Sequence, residues 1–275
     1  MNHFEQFESY IPVDLSRPFY FFAAVGVIFL FIIFRYFLMA GLFWFIFYSW
    51  RPESVRGRQI YKELPDMSLQ KFEIKWSLMT SFIFAISGVI LGLIWQLGWT
   101  QIYLKMDQYG WIYFFGSLVI MSLVHEVYFY WTHRALHHPK LFRSFHSVHH
   151  RSLTPSPWAS FSFHPVEGLI QAVAIPLMVL FIPVHPVALL IYLTFMSLSA
   201  VSNHLGFELL PAGGEKGIGR WLISGVHHTM HHKYYRSNYG LFYTFCDLLF
   251  KTEHPAFAIE YQSVFESTFE KKGAV

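Results

Sequence analysis

Long apolar segments constrain this chain more than any other feature of its sequence. Residues 19–50 are almost wholly apolar, and Arg35 is the single charged residue among them. As one helix they would span roughly 48 Å, whereas the hydrocarbon core of a bilayer is about 30 Å thick. The sequence therefore predicts either one long, tilted helix or a helix broken between Arg35 and Gly41. Because an arginine inside the bilayer is costly, we expect Arg35 to be an interfacial anchor rather than a functional group.

Further apolar segments follow along the chain. Residues 76–99 carry no charge and are bounded by tryptophans, as membrane interfaces prefer, and a third segment begins at Trp111. Residues 169–184 and 187–201 are shorter apolar runs, which predict a hairpin of two tight helices or a partly re-entrant pair. We therefore predict an all-α, polytopic membrane protein with four to five transmembrane or re-entrant helices.

Composition agrees with a membrane protein and excludes other classes. Hydrophobic residues make up 54% of the chain and charged residues 13%, where about 25% charged is ordinary. The net charge of +3 is too small and too dispersed for a nucleic-acid-binding protein. Cys246 is the only cysteine, which excludes an internal disulfide and a metal site built from cysteines.

The placement of basic residues predicts the orientation in the membrane. Six Lys/Arg residues lie within residues 51–75, but only Arg17 lies within residues 1–17, so the loop 51–75 is expected on the cytoplasmic side. No basic segment precedes the first apolar run, so we expect that run to remain as an anchor rather than a cleaved signal peptide. The third segment then runs inward and leads into a cytoplasmic helical cap. A bacterial inner membrane or an endoplasmic reticulum membrane fits this arrangement.

The histidines are concentrated in a few places. Six of the sixteen lie within residues 133–150. On a helix, residues three and four apart lie on one face, so each cluster can direct its imidazoles at one point. Single histidines are usually structural, but three clusters with this spacing predict a metal site. The clusters are His133-x3-His137, His146-x2-His149-His150 and His228-x2-His231-His232.

The number of candidate ligands indicates two metal ions. With His204 and His164 the clusters supply ten histidines, whereas a single zinc ion needs three or four ligands. Imidazole binds zinc, copper, iron or nickel, so the ligand type alone leaves the metal open. The carboxylates near the clusters are few, and we expect mainly nitrogen ligands. These carboxylates are Glu126, Glu167 and Glu208.

Several neighbouring residues are candidates for supporting roles. Glu126 lies two turns before His133 on the same helix face, so we expect it to hold an imidazole N–H, with a buried ion pair as the alternative. His138 and His227 adjoin candidate ligands but point to other faces, which favours a supporting or a surface position. His125 is out of phase with His133, and we expect it either to support a ligand or to pack at the membrane interface.

The segments around the histidines resemble the membrane fatty acid hydroxylase/sterol desaturase superfamily. They read EVYFYWTHRALHH, FHSVHHRSLTPSPWASFSFHPVEGLIQ and ISGVHHTMHHKYYRSNYGLFYTFCD. FHPVEG, and HHTMHH followed by NYG and an aspartate, are more specific than the histidine spacing and are similar to the C5 sterol desaturase (lathosterol oxidase) branch. The resemblance covers about residues 120–255. We expect one membrane-embedded domain over residues 1–275, with a catalytic core at about 115–255 and tails at 1–17 and 256–275.

The resemblance implies an enzyme with two iron ions (Fe2+/Fe3+), O2 as cosubstrate and an external electron donor such as cytochrome b5, or ferredoxin with its reductase. The implied reaction is the desaturation or hydroxylation of a C–H bond in a sterol-like or fatty acyl lipid, with no catalytic residue apart from the metal ligands. The implied ligands are His133, His137, His146, His149, His150, His204, His228, His231 and His232. The residues left as further ligands or as supports of the ligands are His164, Glu208, Glu126, His227 and His138.

Two other functions fit a histidine-rich membrane protein. A membrane zinc hydrolase needs an open zinc site with a general base, and the sequence lacks the H-E-x-x-H motif. A non-enzymatic metal-binding protein would tolerate the loss of single histidines, since flexible binding does not need so many placed ligands. The sequence therefore favours the lipid oxidase, with these two functions as its alternatives.

Overall fold

The computed structural model describes residues 12–61 and 63–272, with side chains as far as residue 266. Most of the expected N-terminal tail, Lys62 of the basic loop and the end of the C-terminal tail lie outside these residues. The described residues form helices and turns, with β-bridges only in isolation. The α-helices are α1 (Pro18–Trp44), α2 (Glu53–Arg56), α3 (Met67–Gln96), α4 (Gly110–Leu136), α5 (Pro139–Leu141), α6 (Pro165–Phe181), α7 (Pro186–Asn203), α8 (Gly225–Tyr234), α9 (Phe245–Leu249) and α10 (Phe257–Lys272). Shorter π-helical or 3-10 turns are Phe45–Trp50, Met106–Gln108, Phe142–His146, His149–Arg151, Pro157–Phe161 and Gly219–Trp221.

Four of the helical segments are long and apolar enough to cross a membrane. A fifth helix, α6, is also apolar but has only 17 residues. The prediction of an all-α chain with four to five membrane-embedded helices is therefore confirmed, and the chain is an integral membrane protein. The four long segments are Pro18–Trp50, Met67–Gln96, Gly110–Leu136 and Pro186–Asn203.

The first long helix is continuous. α1 passes directly into the π-helical turn Phe45–Trp50, so the helix is not broken between Arg35 and Gly41. It ends where Arg51 adopts a left-handed backbone conformation, with φ at 48°, immediately before Pro52. At about 1.5 Å per residue the helix is longer than the bilayer core is thick. Its last turns reach the cap, where Tyr48 Oη donates a hydrogen bond to Leu205 O at 2.6 Å.

Helices α6 and α7 begin in the same way. Pro165 and Pro186 occupy the first helical turn, where the missing N–H is not needed and φ is already helical. The histidines before them cap the helices, because Nδ1 of His164 and of His185 each accepts a hydrogen bond from the backbone N–H two residues later at 3.2 Å. The repeated His-Pro pair therefore sets the start of both helices.

The segment that carries the second histidine cluster is fixed to the membrane helices. α1 packs along α3, and α3 packs along α6 and the turn Pro157–Phe161. Trp158 O accepts hydrogen bonds from Tyr36 Oη and Ser77 Oγ, both at 2.8 Å. Glu73, buried in α3, accepts hydrogen bonds from the backbone N–H and the hydroxyl of Ser156. These buried contacts hold the loop against the middle of α1 and the first half of α3.

The cap is formed by residues 137–164 and 204–266. Helix α8 begins with a capping box in which Ser224 Oγ accepts a hydrogen bond from His227 N at 3.3 Å. A Cβ at Gly225 would lie 2.6 Å from Phe207 O, so only glycine allows α8 to start this close to the backbone of Phe207. Phe257 and Tyr261 of α10 pack against α8 from the other side. The helix of the third histidine cluster is thus held on both sides.

Candidate metal centre

Nine histidines, eight from the cap and His133 from the last turn of α4, converge as two groups. Within each group the candidate ligand atoms all lie within 4.8 Å of one another. All nine side chains are buried except that of His137, which is half-buried. The five-histidine group consists of His133, His137, His146, His150 and His231. The four-histidine group consists of His149, His204, His228 and His232.

The Nε2 atoms of the imidazoles approach one another closely in both groups. In the five-histidine group, His137 Nε2 lies 3.0 Å from His146 Nε2 and 3.2 Å from the Nε2 atoms of His150 and His231. In the four-histidine group, the Nε2 atom of His228 lies 2.9 Å from that of His204. Two nitrogens that bind one metal ion at about 2.1 Å are about 3.0 Å apart at a right angle. The spacing of these atoms therefore fits ligands of a shared metal ion.

Two of the three histidine clusters divide between the two groups, contrary to the expectation that each cluster aims at one point, whereas His133 and His137 stay in one group. His228 and His232 join the four-histidine group, whereas His231 joins the five-histidine group. In a helix, positions i+3 and i+4 differ by about 100° in direction, which is enough to serve different sites. The second cluster divides in the same way, since His146 and His150 join the five-histidine group and His149 joins the four-histidine group. Its segment is a π-helical turn followed by a 3-10 turn.

This division places the two groups side by side. The ring centroid of His149 lies 4.6 Å from that of His232 within one group and 5.5 Å from that of His150 in the other. The ring centroids of His150 and His232, one from each group, are 4.7 Å apart. The arrangement is therefore a pair of adjoining sites.

Backbone carbonyls fix the protonation of four imidazoles. A carbonyl oxygen only accepts a hydrogen bond, so the Nδ1 atom that contacts it must carry the proton, and Nε2 then has the free lone pair. Those lone pairs face the two groups, as metal ligation requires. The contacts are His133 Nδ1 to Tyr239 O at 2.9 Å, His204 Nδ1 to Ala200 O at 2.7 Å, His231 Nδ1 to Ser237 O at 2.7 Å and His149 Nδ1 to Ser162 O at 3.3 Å.

Burial keeps the cap imidazoles neutral. Loss of hydration lowers the pKa of His204 to about 4. The same loss, together with neighbouring imidazoles, lowers the pKa of the other cap histidines of both groups. A set of neutral, buried nitrogen donors suits a transition-metal cation and does not suit Mg2+ or Ca2+, which prefer oxygen. The other cap histidines are His137, His146, His149, His150, His228, His231 and His232.

Comparison with known proteins identifies the family. Residues 118–252, which contain all nine histidines, match the fatty acid hydroxylase family. Residues 118–252 are therefore a fatty acid hydroxylase segment. It is 31% identical over 186 residues to a Delta(7)-sterol 5(6)-desaturase of Gibberella zeae, covering 64% of this chain and 55% of that protein. It is also 31% identical over 193 residues to the lathosterol oxidase of Mus musculus, covering 69% of this chain and 59% of that protein.

A third relative is more similar to this chain over a shorter alignment. The Delta(7)-sterol 5(6)-desaturase of Saccharomyces cerevisiae is 38% identical over 120 residues, covering 44% of this chain and 31% of that protein. These matches confirm the resemblance to the superfamily and to its sterol C5 desaturase branch. The chain spans little more than half the length of the first two relatives. No solved structure matches the chain significantly.

Within this fatty acid hydroxylase segment, and among the residues that the structure describes, Glu167 is the carboxylate that contacts a histidine of the two groups. Its Oε1 atom lies 2.8 Å from His146 Nδ1, and both side chains are buried. A carboxylate at this position orients the ring and increases the basicity of the nitrogen that faces the metal. Sequence reasoning noted Glu167 only as a nearby carboxylate. Its place three residues after His164, in the first turn of a helix that starts at FHPVEG, is the signal that could have identified it.

Glu126 does not hold an imidazole, and that prediction was wrong. Its carboxylate accepts hydrogen bonds from the backbone N–H groups of Leu241, Phe242 and Tyr243 at 2.7 to 3.1 Å. Seven residues along a helix return to the same face but advance about 10 Å, which is too far for contact with His133. Glu126 instead holds the loop that presents Tyr239 O to His133.

Asp247 completes the support of this loop. Its carboxylate accepts hydrogen bonds from the backbone N–H groups of Tyr239 and Gly240, both at 2.9 Å, and from the Thr252 hydroxyl at 2.7 Å. Asp247 is the aspartate that follows NYG in the sequence. The motif therefore folds into a loop whose amides are bound by two buried carboxylates.

The remaining sequence candidates lie outside the two groups. His164 caps α6, and Glu208 accepts hydrogen bonds from the N–H groups of Leu210 and Val226. His227 belongs to the capping box of α8, and its Nε2 lies 3.3 Å from Glu253 Oε1. The two others are His138, which is exposed, and His125, whose Nδ1 lies 2.9 Å from Tyr192 Oη.

Proposed function

We propose that this protein is a membrane-bound, di-iron, O2-dependent oxidoreductase that desaturates or hydroxylates a C–H bond of a lipid. The observation that carries the proposal is the pair of adjoining groups of buried, neutral histidines at the end of the membrane helices. The similarity to a Delta(7)-sterol 5(6)-desaturase and to a lathosterol oxidase favours a sterol C5 desaturase-like reaction. Hydroxylation of a fatty acyl or other lipid is the alternative within the same family. We place the catalytic core at about residues 115–255.

We assign one iron ion to each group of histidines. Bound iron supplies the redox chemistry by which O2 removes hydrogen from an unactivated C–H bond. The protein's part is to hold the Nε2 lone pairs in place through the carbonyl contacts on Nδ1 and through Glu167. The donor set fits iron, and it also fits zinc or copper, so the choice of iron rests on the family.

A cavity of about 290 Å³ supports the assignment of a lipid substrate. Among its lining residues are Phe129, Phe163 and Ala200. The ring of Phe129 lies 4.9 Å from that of His133, and the ring of Phe163 lies 5.0 Å from that of His149. The cavity therefore ends at residues that contact both groups. Its apolar wall excludes water and admits a lipid from the bilayer.

We further propose a cytoplasm-facing cap and an external electron donor such as cytochrome b5, or ferredoxin with its reductase. The basic loop at residues 51–75 supports this orientation. Near half-buried His137 the exposed surface carries Lys140 and Arg143, which suits a small acidic redox carrier. The host membrane is a bacterial inner membrane or the endoplasmic reticulum.

The proposal is tested with protein purified in mild detergent, loaded with ferrous iron and supplied with reduced ferredoxin, O2 and lathosterol or a total lipid extract. We expect about two irons per chain and a lipid product that has lost two hydrogens or gained one oxygen, detected by mass spectrometry. The product should require O2. Zinc-dependent turnover without O2 would support a hydrolase instead, and metal binding with no turnover of any lipid would support a metal-binding protein.

The variant His137→Ala tests whether this activity depends on the histidine groups, and His138→Ala is its control. The two residues are neighbours, but only His137 belongs to the five-histidine group, whereas His138 is exposed. We expect loss of product with His137→Ala and unchanged product with His138→Ala. Equal activity of the two variants would contradict the assignment.

A further inference from the structure

One face of α1 lines the cavity beside the histidine groups. The residues on this face are Ile28, Phe31, Ile32 and Arg35, whose spacing of i, i+3, i+4 and i+7 is that of a single helix stripe. Arg35 lies near the middle of the segment Pro18–Trp50. The arginine that the sequence suggested as an interfacial anchor is therefore part of the cavity wall.

The charge of Arg35 is not balanced by the protein around it. Its guanidinium makes no hydrogen bond or ion pair with any residue in the described part of the chain, and its buried Nε atom has no partner. Its Cζ atom lies 5.8 Å from the ring centroid of Phe31, a weak contact that leaves every N–H donor free. A half-buried cation that lacks an anion, near the middle of a helix long enough to cross a membrane, calls for an anion from outside the chain.

Two more polar side chains of the cavity wall are also free. Ser160 is 1% exposed, and its hydroxyl has no hydrogen-bond partner. Gln171 lines the same cavity, and its amide makes no side-chain hydrogen bond with a described residue. The other polar wall residues differ, since Ser87 Oγ donates to Ala172 O at 2.7 Å and His125 Nδ1 contacts Tyr192 Oη. Arg35, Ser160 and Gln171 therefore have free donors in a wall that is otherwise apolar or has its polar side chains in contact with protein partners.

The charge and the N–H and O–H donors of Arg35, Ser160 and Gln171 indicate which chemical group they would bind. A guanidinium binds carboxylate, phosphate or sulfate oxygens through paired, charge-assisted hydrogen bonds, and hydroxyl and amide donors add to such a site. A neutral hydroxyl would leave the positive charge of Arg35 uncompensated in an apolar cavity. Building on the proposed function, we infer that the lipid substrate carries an anionic, oxygen-bearing group, which binds at Arg35 with Ser160 and Gln171 while the apolar body fills the cavity.

Binding to matched pairs of lipids tests this inference. Iron-loaded protein in nanodiscs of neutral phosphatidylcholine is titrated with stearate and stearyl alcohol, and with lathosteryl sulfate and lathosterol. We expect the wild type to bind the anionic member of at least one pair about tenfold more tightly or better. Arg35→Gln should lose this preference and keep the affinity for the neutral lipid. Arg35→Lys, which keeps the charge, should retain part of the preference even if Arg35→Gln folds poorly.

Arg17→Gln is the matched control, because Arg17 immediately precedes the same helix and is exposed. It removes the same charge from the same helix and should preserve the preference. Equal affinities in both pairs, or a preference that survives in Arg35→Gln, would overturn the inference, and the second result would assign the effect to the bilayer surface. A wild type that oxidises only neutral lipids would overturn the inference and leave the proposed function intact. An anionic preference in a protein that oxidises no lipid would overturn the proposed function, and with it the claim that the bound lipid is a substrate, while the anion site at Arg35 would stand.

Discussion

The two histidine groups draw ligands from the same clusters but are supported differently. In the five-histidine group a buried carboxylate, Glu167, contacts His146, and half-buried His137 reaches toward the surface. The four-histidine group is fully buried, and its Nδ1 contacts within the described residues are backbone carbonyls of Ala200 and Ser162. The two groups share the segments that supply their ligands, but different residues contact the Nδ1 atoms in each group. A substitution can therefore perturb one group without the other.

The largest effect is expected when a ligand of either group is removed. His231→Ala removes a nitrogen from the five-histidine group, and His149→Ala removes one from the four-histidine group. Each change should lower O2-dependent product formation by more than about a hundredfold, because the two sites act together. Iron per chain should fall toward one in each variant. Full activity in either would show that its group is dispensable.

A smaller and one-sided effect is expected from Glu167→Gln. The amide keeps the size of the side chain but removes the charge that orients His146. Metal affinity of the five-histidine group should fall by about 10- to 100-fold, with the other group unaffected. Chelator titration followed by metal analysis would show one weakened site. Glu208→Gln is the control, since Glu208 binds backbone amides and no imidazole, and equal weakening in both variants would contradict the distinction.

Glu126→Gln should act on the five-histidine group more weakly than Glu167→Gln. Its carboxylate reaches His133 only through the loop from Tyr239 to Tyr243. The loss of charged acceptors for buried amides should cost about 1–3 kcal/mol of unfolding free energy, measured by denaturant unfolding in detergent. An effect on metal affinity as large as that of Glu167→Gln would indicate a more direct role.

The smallest effect is expected at His164. Because its side chain caps α6, His164→Asn should preserve stability, and His164→Ala should cost about 1 kcal/mol or less. Both variants should keep two metals per chain. A loss of metal in His164→Asn would show that His164 is a ligand and that the division into two groups is incomplete.

The membrane helices and the nine histidines could be predicted because their signals are local. Long apolar runs define the long helices, and the repeated spacing of imidazoles selects eight of the nine histidines, whereas His204 lies in none of the spaced clusters. The partition into two groups could not be predicted, because it depends on how His231 and His228 point relative to residues distant in sequence. The choice between Glu126 and Glu167 likewise depended on tertiary distance.

Arg35 shows a different limit of the sequence. α1 is apolar on every side, so the pattern of residues does not indicate which face lines a cavity. Only the packing of α1 along α3 puts Arg35 and Ile28 on the cavity wall. The sequence around Arg35 therefore suggested only a membrane anchor.

We propose that the protein holds two metal ions, one in each histidine group. Anomalous diffraction at the iron absorption edge, from crystals of iron-loaded protein, measures this directly. We expect two peaks, one among the Nε2 atoms of His137, His146, His150 and His231, and one among those of His149, His204, His228 and His232. A single peak shared by both groups, or peaks outside them, would contradict the account.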